Sequence, residues 1–178
     1  MMDSGIRKKI YLLIGYKGGG KSQVGMLFHK YRAIRFVRVE DWAKQIRRER
    51  DVCNEAYIRE VFETIERGIR EALQKEDQIV FESTGLSDAF DRMLKRLQTD
   101  FRVVTIRVIA DRIQCLDRVR KRDQSLHIPV SDEQLELINE EIAEKQIACD
   151  FSIDNRRAGE SELISSIDQI IVTGFESE

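Results

Sequence analysis

Short apolar runs alternate along the chain with longer stretches in which apolar residues recur at steps of three and four. The runs fall at residues 10–14, 34–39, 78–81, 103–109 and, more weakly, 151–153. Each is too short for an ordinary helix and rich in Val, Ile and Phe, the residues that fit a pleated strand buried on both faces. Between them, Ile58, Val61, Phe62, Ile65, Ile69, Ala72 and Leu73 make one stripe and predict a helix over residues 57–73. Ile113, Leu116 and Val119 repeat that spacing on a shared face. Ser131 to Gln134 reads as a capping box ahead of a helix carrying Leu135, Ile138 and Ile142. Further helices are expected from about residue 22 to 30, over 88–97 and over 161–171.

Uniformly apolar strands separated by helices long enough for crossovers predict an α/β sandwich with a parallel sheet covered on both faces. In such sheets ligands bind beyond the carboxyl ends of the strands, so chemistry is expected just after Ile14, Val39, Phe81, Ile109 and Ile153.

Composition narrows this further. The chain's 178 residues, 42% of them hydrophobic, suffice for one substantial core, and one domain over 1–178 is expected. The balance of 30 Lys+Arg against 32 Asp+Glu leaves a formal charge of −2, which argues against a nucleic-acid or acidic-membrane partner and makes any basic site local. Residues 1–9 are polar, and no apolar run approaches the roughly 18 residues of a membrane span. Cys53, Cys115 and Cys149 lack a CxxC spacing and lie far in sequence from His29 and His127, so no zinc site is expected and a reducing cytoplasm suits the thiols.

The stretch after the first apolar run is Gly15-Tyr16-Lys17-Gly18-Gly19-Gly20-Lys21-Ser22, a full match to G-x-x-x-x-G-K-[ST]. A polyphosphate needs many donors converging on it, and glycines let successive backbone N–H groups point inward. Lys21 adds a point charge at the outer phosphates, Ser22 offers a hydroxyl to magnesium, and the following helix turns its positive end to the same anion. Gln23, next on that helix end, joins the nucleotide-binding set. For Lys17 two readings stand, a phosphate contact or a solvent-exposed side chain.

Here the chain resembles the P-loop kinases of nucleotides and small metabolites, the superfamily of adenylate, shikimate and gluconate kinases and of the kinase domain of polynucleotide kinases. The resemblance spans nearly the whole chain, with the phosphate loop as its specific motif. It implies a five-stranded parallel sheet in the order 2-3-1-4-5, a lid over about residues 111–149, and transfer of the γ-phosphoryl group of ATP with Mg2+. In the kinases it resembles, an acid after the second strand touches the acceptor or the metal, and Glu40 or Asp41 matches that place. Either acid could equally be a helix N-terminal residue, with Asp41 as the cap. Glu82, ending the third run, takes the place of a Walker B acid, usually Asp, and is followed by Ser83 and Thr84. Two acids beside one phosphate loop need a cation between them and the phosphates, which Mg2+ supplies.

After the fourth run, Arg112, Arg118, Arg120 and Arg122 crowd one short helical stretch. Arg118 and Arg122 share a helix face, and by resemblance lid arginines stabilise the transferring phosphate. A solvated helix paired with Asp117 and Asp123 is the competing reading, and Arg112 stacked on adenine a further one. Asn155, after the last run, is placed at the base. The acceptor is expected to be chosen by residues 42–76, where Trp42, Arg47, Arg48, Arg50 and Tyr57 could line an anionic pocket. Two functions remain open: a small-molecule or nucleotide kinase, and a nucleotide-binding switch or weak ATPase acting through a protein partner.

Overall fold

The computed structural model describes residues 7–174. Its strands are β1 (Lys9–Ile14), β2 (Arg35–Val37), β3 (Gln78–Ser83), β4 (Arg102–Ile109) and β5 (Phe151–Asp154). Its helices are α1 (Lys21–Arg32), α2 (Val39–Arg47), α3 (Glu55–Lys75), α4 (Asp88–Asp100), α5 (Arg112–Lys121), α6 (Asp132–Lys145) and α7 (Glu160–Thr173). The strands form a parallel sheet in the order β2-β3-β1-β4-β5, as the resemblance implies. Register brings Ile14 level with Ser83 of β3 and with Arg107 of β4, so the loops after the two inner strands open on one edge.

Alternation along β1 divides the core. Ile10, Leu12 and Ile14 face a cluster with α2, α3 and α4, built around Val61, Ile65, Ile69, Phe81, Phe90 and Met93. Tyr11 and Leu13 face the opposite layer, where Val24 and Phe28 of α1 meet Leu163, Ile167 and Ile170 of α7. Each strand residue is thus covered from one side or the other, which is why the runs read as continuously apolar.

Two expectations change. The run 34–39 is not one strand: β2 stops at Val37, Arg38 turns the chain, and Val39 is already the first residue of α2. Val39, Trp42, Ala43 and Ile46 all join the core, a helical spacing that the preceding apolar residues obscured. Arg38 therefore occupies the cap position expected for Asp41, which lies within the first turn. On α5 the buried residues are Cys115 and Val119, while Ile113 is 81% exposed. The cause is the helix's docking face, since Cys115 and Val119 pack beneath Gly18 of the phosphate loop.

The α5–α6 segment is tied down at several points. Ser131 caps α6 through the expected capping box with Gln134. At the other end of α6, Lys145 donates to the Gly85 carbonyl at 2.7 Å and pairs with Asp91 at 2.9 Å. Among the described residues no helix is long and apolar enough to cross a membrane.

Candidate active site

The turn from β1 into α1 has left-handed backbone at Gly18 (φ 82°) and Gly20 (φ 88°). At Gly18 a Cβ would stand 2.5 Å from the Cys115 carbonyl oxygen, and at Gly20 it would collide with the Asn155 amide. Both conformation and space therefore demand glycine there.

Lys21, at the head of α1, is 7% exposed. Its ammonium folds back over the loop and donates to the carbonyls of Gly15 at 3.0 Å and Tyr16 at 2.7 Å. Burial holds its pKa below the usual lysine value despite the attraction of Glu82, and nearby Lys17 lowers it further. Lys17 is depressed in the same way by burial, opposed by Glu40. Next to Lys21, Ser22 donates to Glu82 Oε1 at 2.5 Å. Two of the three residues expected at magnesium are thus in contact, although they lie far apart in sequence; the third, Asp41, faces away.

A cavity of about 390 Å³ opens over this loop. It is lined by Lys17, Gly18, Gly20, Lys21 and Ser22, by Glu40 of α2, by Phe62 and Ile65 of α3, by residues 81–84, and by Arg118, Arg122, His127 and Ile128. Nη1 of Arg118, and Nε and Nη2 of Arg122, are buried and have no hydrogen-bond partner. Arg118 donates through Nη2 to the Asn155 carbonyl at 3.3 Å. Burial pushes the Arg122 pKa down against the pull of Glu40 and Glu82. Buried donors without acceptors are costly, so this arrangement suits an anion.

Glu40 is saturated by neighbours. It accepts from the Ile128 N–H at 2.9 Å, meets His127 Nδ1 at 2.9 Å and lies 3.9 Å from Lys17 Nζ. Burial alone would raise its pKa, yet Lys17, the Ile128 N–H and His127 together hold it below the ordinary carboxylate value.

Several expected site residues are not gathered here. Asp41 is exposed and pairs with Arg38 at 3.4 Å, because the first turn of α2 presents Glu40 inward and Asp41 outward. Gln23 is exposed beside Ser22. Arg112 is exposed and pairs with Glu140 at 3.2 Å. Asn155 is buried and braces the loop, donating from Nδ2 to the Gly19 carbonyl at 3.1 Å, rather than facing open space. The α2–α3 basic residues turn elsewhere: Arg47 and Arg50 bond each other's carbonyls, and Arg50 pairs with Glu60 at 2.7 Å. Trp42 packs over Gly68, and Tyr57 donates to the Ala43 carbonyl at 2.9 Å from within the core.

Asn139 and His127 were not among the expected site residues, whereas the loop after β5 was. Asn139 of α6, 3% exposed, binds both backbone groups of Lys17. A second cavity, about 720 Å³, is lined by Asp111, Asp154, Arg156, Arg157, Ala158, Glu162 and Ser166. An Asn on the buried stripe of a predicted helix was a signal for the first, since a buried amide needs partners.

The residues present fit a polyphosphate with its cation: orphaned guanidinium donors, two desolvated ammonium groups, and a hydroxyl–carboxylate pair at one loop. Among the described residues no three His, Cys, Asp or Glu side chains cluster as a metal site. A cation at Ser22 and Glu82 would therefore complete its coordination from phosphate and water.

Sheet order and phosphate loop define a P-loop protein with the fold seen in P-loop kinases. A family model described as an AAA domain matches residues 10–144, and the chain belongs to that family. Comparison with curated protein sequences gave no match. Among solved structures, shikimate kinase from Acinetobacter baumannii in complex with shikimate is similar at 15% identity and TM-score 0.66, covering 96% of each chain. A gluconokinase from Sinorhizobium meliloti 1021 is similar at 14% identity and TM-score 0.65, covering 98% of this chain and 100% of its own. The Mycobacterium tuberculosis APS kinase, in complex with AMPPNP and APS, gives 13% identity and TM-score 0.60 over 94% of this chain and 99% of its own.

Proposed function

We propose that this protein is a kinase that transfers the γ-phosphoryl group of Mg-ATP to a hydroxyl of a small-molecule acceptor. The observation that carries the reading is the set of unpartnered guanidinium nitrogens on Arg118 and Arg122, lining the same cavity as Lys17, Lys21 and the Ser22–Glu82 pair. Phosphoryl transfer is mostly positioning and charge stabilisation, and these groups are the means for both.

In this reading the backbone of residues 15–20 and the ammonium of Lys21 hold the phosphates, Lys21 exchanging carbonyl partners for phosphate oxygens. Ser22 and Glu82 hold the magnesium, which when bound neutralises charge on the phosphate oxygens. Arg118 and Arg122 meet the charge that spreads over the transferring group. Glu40 is a positioning residue: with its oxygens engaged and its pKa lowered it is a poor base, and a loose transition state demands little of one. It ties α2 to His127 and Ile128, so residues 111–149 act as a lid whose tip closes on the acceptor side. The second cavity, with Arg156 and Arg157, takes the base of the nucleotide.

The test is ADP release from Mg-ATP across a panel of hydroxyl-bearing acceptors, with the Lys21→Ala protein as blank. Acceleration by orders of magnitude over water by one acceptor class is the expected result. ATP binding with no acceptor effect would replace the kinase reading by that of a nucleotide-dependent switch.

A further inference from the structure

The main cavity is divided by charge. Its lysines and arginines, Lys17, Lys21, Arg118 and Arg122, come from the loop after β1, the head of α1, and α5 with its C-cap. What α2, α3 and the end of β3 contribute is different: Val39, Ala43, Phe62, Ile65 and Phe81, with the acids Glu40 and Glu82 and the hydroxyl residues Ser83 and Thr84. Ile128 adds to the apolar wall from above α2, and the neighbouring His127 is engaged by Glu40.

Of the basic residues on α2 and in the turn after it none lines this cavity, and three are engaged elsewhere. Lys44 donates to the Ser125 carbonyl, Arg47 and Arg50 bond each other's carbonyls, and Arg50 also pairs with Glu60. A carboxylate or phosphate on an acceptor lying against α3 would lose its hydration to Phe62 and Ile65, gain no counter-ion from that wall, and face Glu40.

We infer that the acceptor is an uncharged hydroxyl compound with an apolar body, seated against Val39, Phe62, Ile65 and Phe81; this rests on the kinase reading above. Its hydroxyl oxygen forms a bond to the γ-phosphorus of ATP. The bond from that phosphorus to the β–γ bridging oxygen breaks, ADP leaves with the electron pair, and the hydroxyl proton passes to solvent. Selection against anions comes from the wall, because an uncompensated charge there is rejected more strongly than a missing methylene would be. Shikimate, held by the Acinetobacter enzyme, is a carboxylate and belongs to the rejected class.

Matched pairs test this on the full chain with Mg-ATP: methyl shikimate beside shikimate, methyl mandelate beside mandelate, and phenylethanol beside phenyllactate, each read by ADP release. At least one neutral member should exceed its anionic counterpart by about tenfold or more in kcat/KM. Thr84→Lys, made at a partly exposed position that lines the cavity, supplies the missing cation and should narrow or invert that ratio. Anionic members turned over as well as or better than their neutral partners overturn the inference and leave the kinase standing. If Mg-ATP binds and no member of either set raises ADP release, the kinase reading falls and this inference falls with it.

Discussion

The side-chain amide of Asn139 closes on both backbone polar groups of Lys17, accepting from its N–H at 2.9 Å and donating to its carbonyl at 3.3 Å. This contact joins α6 to the middle of the phosphate loop. It satisfies two backbone groups that a tight glycine turn cannot pair internally, and it fixes the loop before any ligand arrives.

Asn139→Ala should therefore lower stability by about 1–3 kcal/mol, the cost of leaving buried backbone groups unpaired. Mg-ATP affinity should fall as well, since part of the binding energy would go to ordering the loop. Asn139→Asp keeps the acceptor for the Lys17 N–H and loses the donor, so it should fall between wild type and Ala. Urea unfolding and calorimetric titration of Mg-ATP check both statements; an Asn139→Ala protein that binds as tightly as wild type would remove the bracing role.

Arg118 and Arg122 invite the opposite expectation for the free protein. Nη1 of Arg118 and Nε and Nη2 of Arg122 lack partners, so Arg118→Met and Arg122→Met should leave the ligand-free melting temperature unchanged or raise it. The rise in melting temperature on adding Mg-ATP should shrink in each variant, and kcat should fall by about tenfold or more if these donors act in the transition state. Loss of ATP affinity with kcat intact would make them ground-state contacts.

Glu40 sets a pH dependence. Its folded-state pKa lies below the ordinary 4.5, so the contribution it makes through Lys17, Ile128 and His127 is complete above about 4.5 and is lost as pH falls through the folded value. Glu40→Gln should accordingly flatten the acid limb of the stability curve and separate from wild type above that pH. Urea unfolding across the acid range measures it, and superimposable curves for the two proteins would show that the Glu40 cluster contributes nothing.

The sheet was legible because parallel strands covered on both faces leave uninterrupted apolar runs, and the phosphate loop because its glycines are demanded by backbone conformation. Ser22 was placed at the metal by the loop motif and Glu82 by resemblance, and the fold brings the two to 2.5 Å. What spacing could not tell was which way a short helix faces. Glu40 and Asp41 are adjacent in sequence, and the packing of Val39 and Ala43 decides that the first points inward. Ile113 misled for the same reason, since α5 docks through Cys115 and Val119. Asn139 and His127 meet their partners only across long separations, through the docking of α5–α6 on the sheet edge.

Lys21 reads in the sequence as a point charge for phosphates; in the structure it is buried, with its ammonium on two carbonyls. Its removal relieves a desolvated cation and forfeits two hydrogen bonds, although Tyr16 O keeps the Gly19 N–H at 2.9 Å. The lowered pKa says that burial outweighs the attractions, so the ligand-free Lys21→Ala protein should be at least as stable as wild type near neutrality. The pH dependence follows in sign. Between the depressed folded value and the ordinary 10.5 the unfolded chain binds more protons than the folded one, so wild-type stability gains a rising component with pH in that window. Lys21→Ala should lack Lys21's share of it, while Lys17, depressed likewise, keeps its own. Unfolding of both proteins from neutrality to 10.5 gives the difference. A gap between the curves that closes or reverses as pH rises supports the desolvated cation; a constant deficit in the variant would mean that the two hydrogen bonds outweigh burial. In either case ADP release should disappear from the variant, because the phosphates lose the charge that holds them.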